Sequence, residues 1–248
     1  MLTKSLPYRD VILSRWQVLK DEKGEIMYLF GPNKLPIKIN NKVFYFNWYT
    51  WLKDEHLSEH IEEFLESITL RDFSSVQQSS LLTYGDFSNA DAVKIRLHSI
   101  CHTGDIFGSQ RCDCGSQFRE ALKQIVNFGA GGIFYIANHE GRGIGLFNKA
   151  LVYALQEQGL DTAEANLTLG FHVDLRRYDE VVTVLKYLRR KPVILLSNNP
   201  EKAQFLSDHG VSISEIEPLA GEVNEYNYVY LATKAKVFSH NIKLPKHD

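Results

Sequence analysis

Residues 132–146 read GIFYIANHEGRGIGL. GIFYIAN (132–138) is a short apolar run, the mark of a buried strand. HEGRGIGL (139–146) is a glycine-rich turn, and a helical pattern follows it through about Gln158. A strand feeding a helix through such a turn is the unit of an α/β domain. The pattern continues on both sides. Upstream, Phe118, Ala121, Leu122, Ile125 and Val126 recur at helical spacing and stop at GAGG (129–132). In AVKIRLHSI (92–100), Val93, Ile95 and Leu97 alternate with Lys94, Arg96 and His98, as in a strand. Downstream, residues 176–190 carry Val181, Val182, Leu185 and Leu188 at helical positions, and PVILLSN (192–198) is a second buried strand. Asn199–Pro200 opens a helix that ends at His209–Gly210, and VSISEI (211–216) is another strand. A glycine-punctuated loop is expected from Gly159 to Asp174, and a loose polar tail after Ser239.

The first third is more mixed. IMYLF (26–30) reads as a strand, GPNKLP (31–36) as a turn or boundary, and KVFYFNWYTWL (42–52) as a strand apolar on both faces. Apolar character on both faces points to burial or an interface. SEHIEEFLESI (58–68) has helical spacing, SSVQQSS (74–80) is a polar loop, and SLLTYGDF (80–87) is a further strand. The expected fold class is α/β (mixed α+β).

At 248 residues, 44% apolar and 23% charged, the chain has the composition of an ordinary globular protein. A net charge of −2 gives no general attraction to nucleic acid or to an anionic membrane. No run approaches the ~18 apolar residues of a membrane span. The first residues, MLTKSLPYRDVILSRW, lack the apolar core and cleavage site of a signal peptide, so a cytoplasmic protein is expected.

The three cysteines, Cys101, Cys112 and Cys114, all fall in RLHSICHTGDIFGSQRCDCGSQ (96–117). Three buried apolar thiols would be the bland reading, but chance does not place all three within 14 residues of 248. Cys112 and Cys114 are too close to bridge each other without strain. Three thiolates suit one tetrahedral zinc and leave its fourth position for a water, which implies hydrolytic chemistry. His102 could fill that position and close the site, but adjacent residues of an extended segment point apart.

Other constellations are weaker alone. His139-Glu140-Gly141-Arg142-Gly143-Ile144-Gly145 could bring backbone amides and a guanidinium to a phosphate, or be a solvated turn; it is not a Walker loop. Asp174-Leu175-Arg176-Arg177 reads as a helix-start carboxylate with an ion pair. In SNNPEK (197–202) a strand ends in a polar turn at a helix start, a common ligand position, and Lys202 is there either a phosphate contact or a surface lysine.

Together these stretches resemble the GTP cyclohydrolase II family. The likeness covers roughly 80–238, through RLHSxCxTGDxFGSxRCDCGxQ, EGRGIGL, DTAEANLxLGF and SNNPxK in family order. It implies a catalytic domain over 35–240, with 1–34 an N-terminal extension, an added segment near 53–75, and 241–248 a tail. It implies hydrolysis of GTP with loss of diphosphate and of C8 as formate, giving 2,5-diamino-6-(5-phospho-ribosylamino)pyrimidin-4-one for riboflavin biosynthesis. Cys101, Cys112 and Cys114 would hold one zinc per chain. Arg96, His98, Ser99, Gln117, Glu140, Gly141, Arg142, Thr162, Ser197 and Lys202 match nucleotide-binding positions, Ser197 standing where threonine is usual. Asp174 matches the proton acceptor, Arg176 the proposed nucleophile toward the α-phosphate, and Tyr153 a tyrosine that assists the ring chemistry. A guanidinium is a poor nucleophile unless a base takes its proton, so stabilisation of phosphate charge is the alternative role for Arg176. The family also implies magnesium with the triphosphate and a homodimer, to which the strand 42–52 could contribute. Departures are Ile100 for glutamate, His102 for an apolar residue, the pair Asn138-His139, and the doubled Arg176-Arg177. Competing readings are a paralogue with an altered product and a non-catalytic nucleotide-binding regulator. Retention of the cysteines, Asp174, Arg176 and Tyr153 argues against the regulator.

Overall fold

The computed structural model describes residues 9–54, 57–73, 76, 78–172 and 174–237. Among them, eight strands form one sheet in the order β1-β2-β3-β4-β6-β5-β7-β8. The antiparallel half is β1 (Trp16–Lys20), β2 (Ile26–Ile39), β3 (Lys42–Lys53) and β4 (Ser80–Tyr84), and β4 pairs antiparallel with β6 (Gly131–Ile136). The parallel half sets β5 (Lys94–Ser99) between β6 and β7 (Val193–Leu196), with β8 (Ile213–Glu217) beyond. The helices are α1 (Arg9–Leu13), α2 (Ile61–Ser67), α3 (Cys114–Phe128), α4 (Leu146–Gln156), α5 (Thr162–Thr168), α6 (Asp179–Leu188), α7 (Pro200–Asp208) and α8 (Tyr228–Val237). The mixed α/β class expected from the alternation is the class observed. No helix of the described residues is long and apolar enough to cross a membrane.

Helices cover both faces of the parallel half. On one face, Ala121, Leu122 and Ile125 of α3 meet Phe46, Leu82, Ile133 and Leu196. On the other, Val181, Val184 and Leu185 of α6 and Leu206 of α7 meet Ile95, Leu97, Phe134 and Leu195. Truncating such a residue, Ile125 for example, costs roughly 2–5 kcal/mol. The alternation in β5 therefore does not separate core from solvent. Ile95 and Leu97 enter one core, and Arg96 and His98 are buried on the α3 side. That is the usual fate of a parallel strand covered on both faces, and it turns two polar side chains into site residues. A third cluster, Tyr28, Leu57 and Phe64 with Trp16, seats α2 on the antiparallel half.

Several boundaries differ from the sequence reading. GPNKLP is not a turn: β2 runs through it, and a register shift between Phe30 and Asn33 absorbs Gly31–Pro32. The expected loop 159–174 contains α5, because Asp161 and Glu164 form a reciprocal capping box with the helix start. The helix expected over 176–190 begins at Asp179; Asp174 to Tyr178 are not helical, and Arg176 among them enters the cleft described below. α8 was not anticipated. The expected loose tail after Ser239 and the first eight residues lie outside the described residues, as does part of SSVQQSS.

Candidate active site

A cleft opens at the carboxyl ends of β5, β6 and β7, where the chain leaves the sheet at Ser99, Ile136 and Leu196. This edge is where open α/β sheets place ligands. Cys101 follows β5, a π-helical turn spans His102–Ile106, and Cys112 and Cys114 lie at the start of α3. Cys101 Sγ and Cys112 Sγ are 3.6 Å apart, and the three sulfurs lie within 4.8 Å of one another. Zinc–sulfur bonds of about 2.3 Å in a tetrahedron put sulfurs about 3.8 Å apart, so the spacing and donor type fit a thiophilic divalent ion. Gly104 leaves room for them: a Cβ there would lie 2.8 Å from Cys112 Sγ and 3.1 Å from Cys101 Sγ. His102 does not join the group. Its ring stands 4.8 Å from that of Phe107, and its backbone N–H donates to Glu140 Oε2 at 2.6 Å.

The sulfurs share charge among themselves. Hydrogen bonds from Cys112 and Cys114 hold the Cys101 thiol far below its ordinary range. The same bonds push Cys112 up to about 11 and Cys114 well above the usual value. Asp105 braces this end: it accepts the Cys101 N–H at 3.0 Å, the Tyr135 hydroxyl at 3.1 Å and His98 Nε2 at 3.1 Å. Burial lowers the His98 pKa, so its imidazole is neutral, with Nε2–H toward Asp105 and Nδ1 buried without a partner among the described residues. Tyr153 Oη is 3.4 Å from Thr103 Oγ1, and the Arg111 guanidinium lies 4.5 Å over its ring. Burial raises the Tyr153 phenol, which makes it a hydrogen-bond donor at neutral pH.

The turn after β6 supplies Glu140, Gly141 and Arg142. Gly141 and Arg142 both adopt left-handed backbone, φ +58° and +64°. At Gly141 a Cβ would meet Ile144 Cγ1 at 2.8 Å, so this position requires glycine. Arg142 carries the same conformation with a side chain, the kind of strain that collects at functional turns. Its carbonyl accepts the Leu175 N–H at 3.0 Å and ties this turn to the Asp174 loop.

The other end of the cleft is cationic. Arg176 forks onto Asp174 through Nε, at 2.9 and 3.1 Å, and through NH2; its NH1 stands 3.4 Å from Ser99 Oγ. Burial opposes the charge of both partners. The pair overrides it, and Asp174 lies below the usual carboxylate range while Arg176 lies above its ordinary value, raised also by Tyr178. Arg96 reaches Gln117 Oε1 at 2.7 Å and the Leu196 carbonyl at 3.0 Å, and its Nε is buried without a partner among the described residues. Gln117 donates to Asp113, which accepts Lys234 Nζ of α8 at 2.9 Å. Lys202 Nζ donates to the Leu97 carbonyl at 2.8 Å. Burial, then Arg96, Arg176 and Lys234, press its ammonium well below the usual lysine value. Ser197 Oγ accepts the Asn199 N–H at 3.1 Å, and Thr162 Oγ1 accepts from Gln156 Nε2 at 2.8 Å.

Of the sixteen residues matched to catalytic, nucleotide or metal positions, fifteen line this one cleft, and Asp174 reaches it through Arg176 and Arg142. Sequence reasoning missed Asp105, Lys149, Asn166, Tyr230 and Lys234. Asp105 sits inside the TGD segment between the cysteines. Lys149 breaks the apolar face of α4, three residues before Val152. Tyr230 and Lys234 are one turn apart on α8, which carries no motif in the chain as read.

The model of the family GTP cyclohydrolase II matches residues 54–218. The chain belongs to the GTP cyclohydrolase II family. It is 48% identical over 166 residues to GTP cyclohydrolase-2 of Colwellia psychrerythraea, covering 67% of this chain and 82% of that protein. To GTP cyclohydrolase-2 of Streptomyces coelicolor it is 47% identical over 161 residues, 65% of this chain and 72% of that protein. To the riboflavin biosynthesis protein RibBA of Bacillus velezensis it is 50% identical over 152 residues, 61% of this chain but 38% of that longer protein. The family match stops at residue 218, yet α8 contributes Tyr230 and Lys234 to the cleft.

Proposed function

We propose that this protein is a zinc-dependent GTP cyclohydrolase II, releasing diphosphate and formate from GTP to give the diaminopyrimidine that begins riboflavin biosynthesis. The observation that carries the reading is the convergence of three thiols and a set of buried cations on one cleft, in a chain of this family. A zinc ion held by Cys101, Cys112 and Cys114 would supply an activated water for C8 of the guanine ring. Glu140, Gly141 and Arg142 hold the nucleotide together with Thr162 and Ser197, and Tyr153 donates a hydrogen bond beside the sulfurs. Arg96, His98, Ser99 and Gln117 form the wall between the two ends of the cleft.

Arg176 acts as a charge stabiliser for the α-phosphate. A guanidinium raised above its ordinary value and a carboxylate lowered below its own make proton transfer from Arg176 to Asp174 unfavourable, which argues against a nucleophilic guanidine. Asp174 orients that fork. Lys202 meets the phosphate chain, and magnesium accompanies the substrate triphosphate. The catalytic domain spans 35–240, with 1–34 an extension and 53–75 an added segment; the protein is a cytoplasmic homodimer that engages neither nucleic acid nor membrane.

Incubating the purified protein with GTP, zinc and magnesium and identifying the products by mass tests the reading. Formate and diphosphate in equal amounts support it. Unchanged GTP, or full activity in protein stripped of metal, overturns it.

A further inference from the structure

Lys149 is a buried charge that none of the roles above uses. It sits on α4 at 8% exposure, and its ammonium makes three contacts. Nζ lies 2.6 Å from Glu140 Oε1, 3.1 Å from Thr103 Oγ1 and 3.2 Å from Cys101 Sγ. An ammonium has three donors and no acceptor, so these contacts use all three protons. The partners come from separate parts of the chain: the thiol after β5, the π-helical turn, and the turn after β6. The second oxygen of Glu140 already accepts the His102 N–H, so the carboxylate and the Cys101 segment are joined at both oxygens.

We propose that Lys149 is a positioning residue of the metal centre, its ammonium holding the Cys101 sulfur and the Glu140 carboxylate in one fixed relation. Metal and nucleotide base are thereby placed relative to each other. The proposal rests on the zinc and GTP reading of the cleft. Three thiolates around a divalent cation carry a net charge of about −1, and an N–H donated to one sulfur withdraws part of it. Partners of this kind orient metal ligands and are typically worth about 10–100-fold in affinity or activity.

Cobalt(II) in the full chain is the probe, because sulfur-to-cobalt charge-transfer absorption reports the electron density on the sulfurs without turnover. Wild-type protein that takes up no cobalt overturns the metal reading, and this proposal with it. With the wild-type band in hand, Lys149→Met removes the donors at similar volume. The variant is expected to bind cobalt with a charge-transfer band at lower energy, and to show a KM for GTP raised about 10-fold. An unchanged band and KM overturn the proposal, and so does a change in one without the other. Lys149→Met leaves Glu140 buried without its counter-charge and could fail to fold. Lys149→Met combined with Glu140→Gln then removes both charges, and its band is compared with that of Glu140→Gln alone. A displacement to lower energy supports the proposal, and equal bands overturn it.

Discussion

Lys149 and Lys202 are both buried lysines of one cleft, and their surroundings have opposite sign. Burial by itself would lower the Lys149 ammonium, but Cys101, Tyr153 and Glu140 outweigh it and raise the group above the ordinary lysine range. Lys202 has a backbone carbonyl for a hydrogen bond and Arg96, Arg176 and Lys234 for charged neighbours, so burial and repulsion act together. One end of the cleft thus holds sulfur and carboxylate in excess, and the other holds cations in excess. A thiophilic cation relieves the first and a polyphosphate relieves the second. Each end is built for what the other end would repel, and under the proposed function a nucleotide bridging them would set its base at the sulfurs and its phosphates at the arginines.

The sharpest way to break this division is at the sulfurs. Cys112→Ser is expected to lose the bound metal and to lower formate release by about 10³-fold or more, since metal activation of water is worth several kcal/mol. Metal analysis and formate assay read it. Retention of metal with full formate release would show that the three thiols do not act as one ligand set.

Arg176→Ala attacks the opposite end. Diphosphate release is expected to fall by about 10²–10³-fold, the usual cost of removing a preorganised donor from developing charge. Metal content should stay at the wild-type level. A variant that instead loses metal would mean that the two ends are not separate, and the Ser99 contact that lies between them would be the first place to look.

The two ends were not equally legible in the sequence. Three cysteines in one short stretch announce themselves, because the residue type is rare and its chemistry narrow. The strand–helix alternation from residue 130 onward was also readable, since its caps and apolar periods agree. The cationic end was not. Arg96 looked like the outward side of an alternating strand and became buried only because α3 covers that face. By spacing alone Asp174 and Arg176 looked like a helix start; the helix begins instead at Asp179, which frees them for the cleft. Lys149 and Lys234 escape the local rules, because Lys149 joins partners 9, 46 and 48 residues away and the partner of Lys234 lies 121 residues away. Resemblance to the family supplied the nucleotide positions that periodicity could not, but none of its motifs picked out Tyr230 or Lys234 of α8.

Lys202 tests the cationic end without breaking an ion pair. Lys202→Met is expected to raise the KM for GTP by roughly 10-fold while leaving the melting temperature of the ligand-free protein unchanged or higher, because burial and the neighbouring cations disfavour the ammonium that packing atoms replace. The pH dependence has a defined sign. The folded pKa lies below the unfolded one, so between the two values the unfolded chain binds more protons and stability rises with pH. Lys202→Met should flatten that rise, read by denaturant unfolding at a series of pH values. A raised KM with an unchanged pH slope would place the titrating group elsewhere among the cations.

The smallest expected effect belongs to His139, which sits between the ends. Its Nε2 donates to the Arg177 carbonyl at 2.8 Å, which leaves Nδ1 to accept from Ser99 Oγ at 3.2 Å. Burial lowers its pKa to about 3, and Arg176 and Lys202 act in the same direction. The imidazole is therefore neutral at any working pH and serves as a rigid spacer between β5 and the Asp174 loop. Its contribution to stability is fully present above the unfolded value of about 6.5 and is lost as pH falls toward 3, because the unfolded chain takes up a proton that the folded one refuses. Each pH unit in that window costs up to about 1.4 kcal/mol. His139→Gln keeps one donor and one acceptor, so turnover at neutral pH should change by less than about 10-fold while the loss of stability between pH 6 and 4 becomes shallower. Denaturant unfolding at a series of pH values reads the slope. An unchanged slope would place the acid sensitivity of that window in a group other than His139; the depressed carboxylates Asp113 and Asp174 lose their contribution only as pH falls below the ordinary carboxylate range.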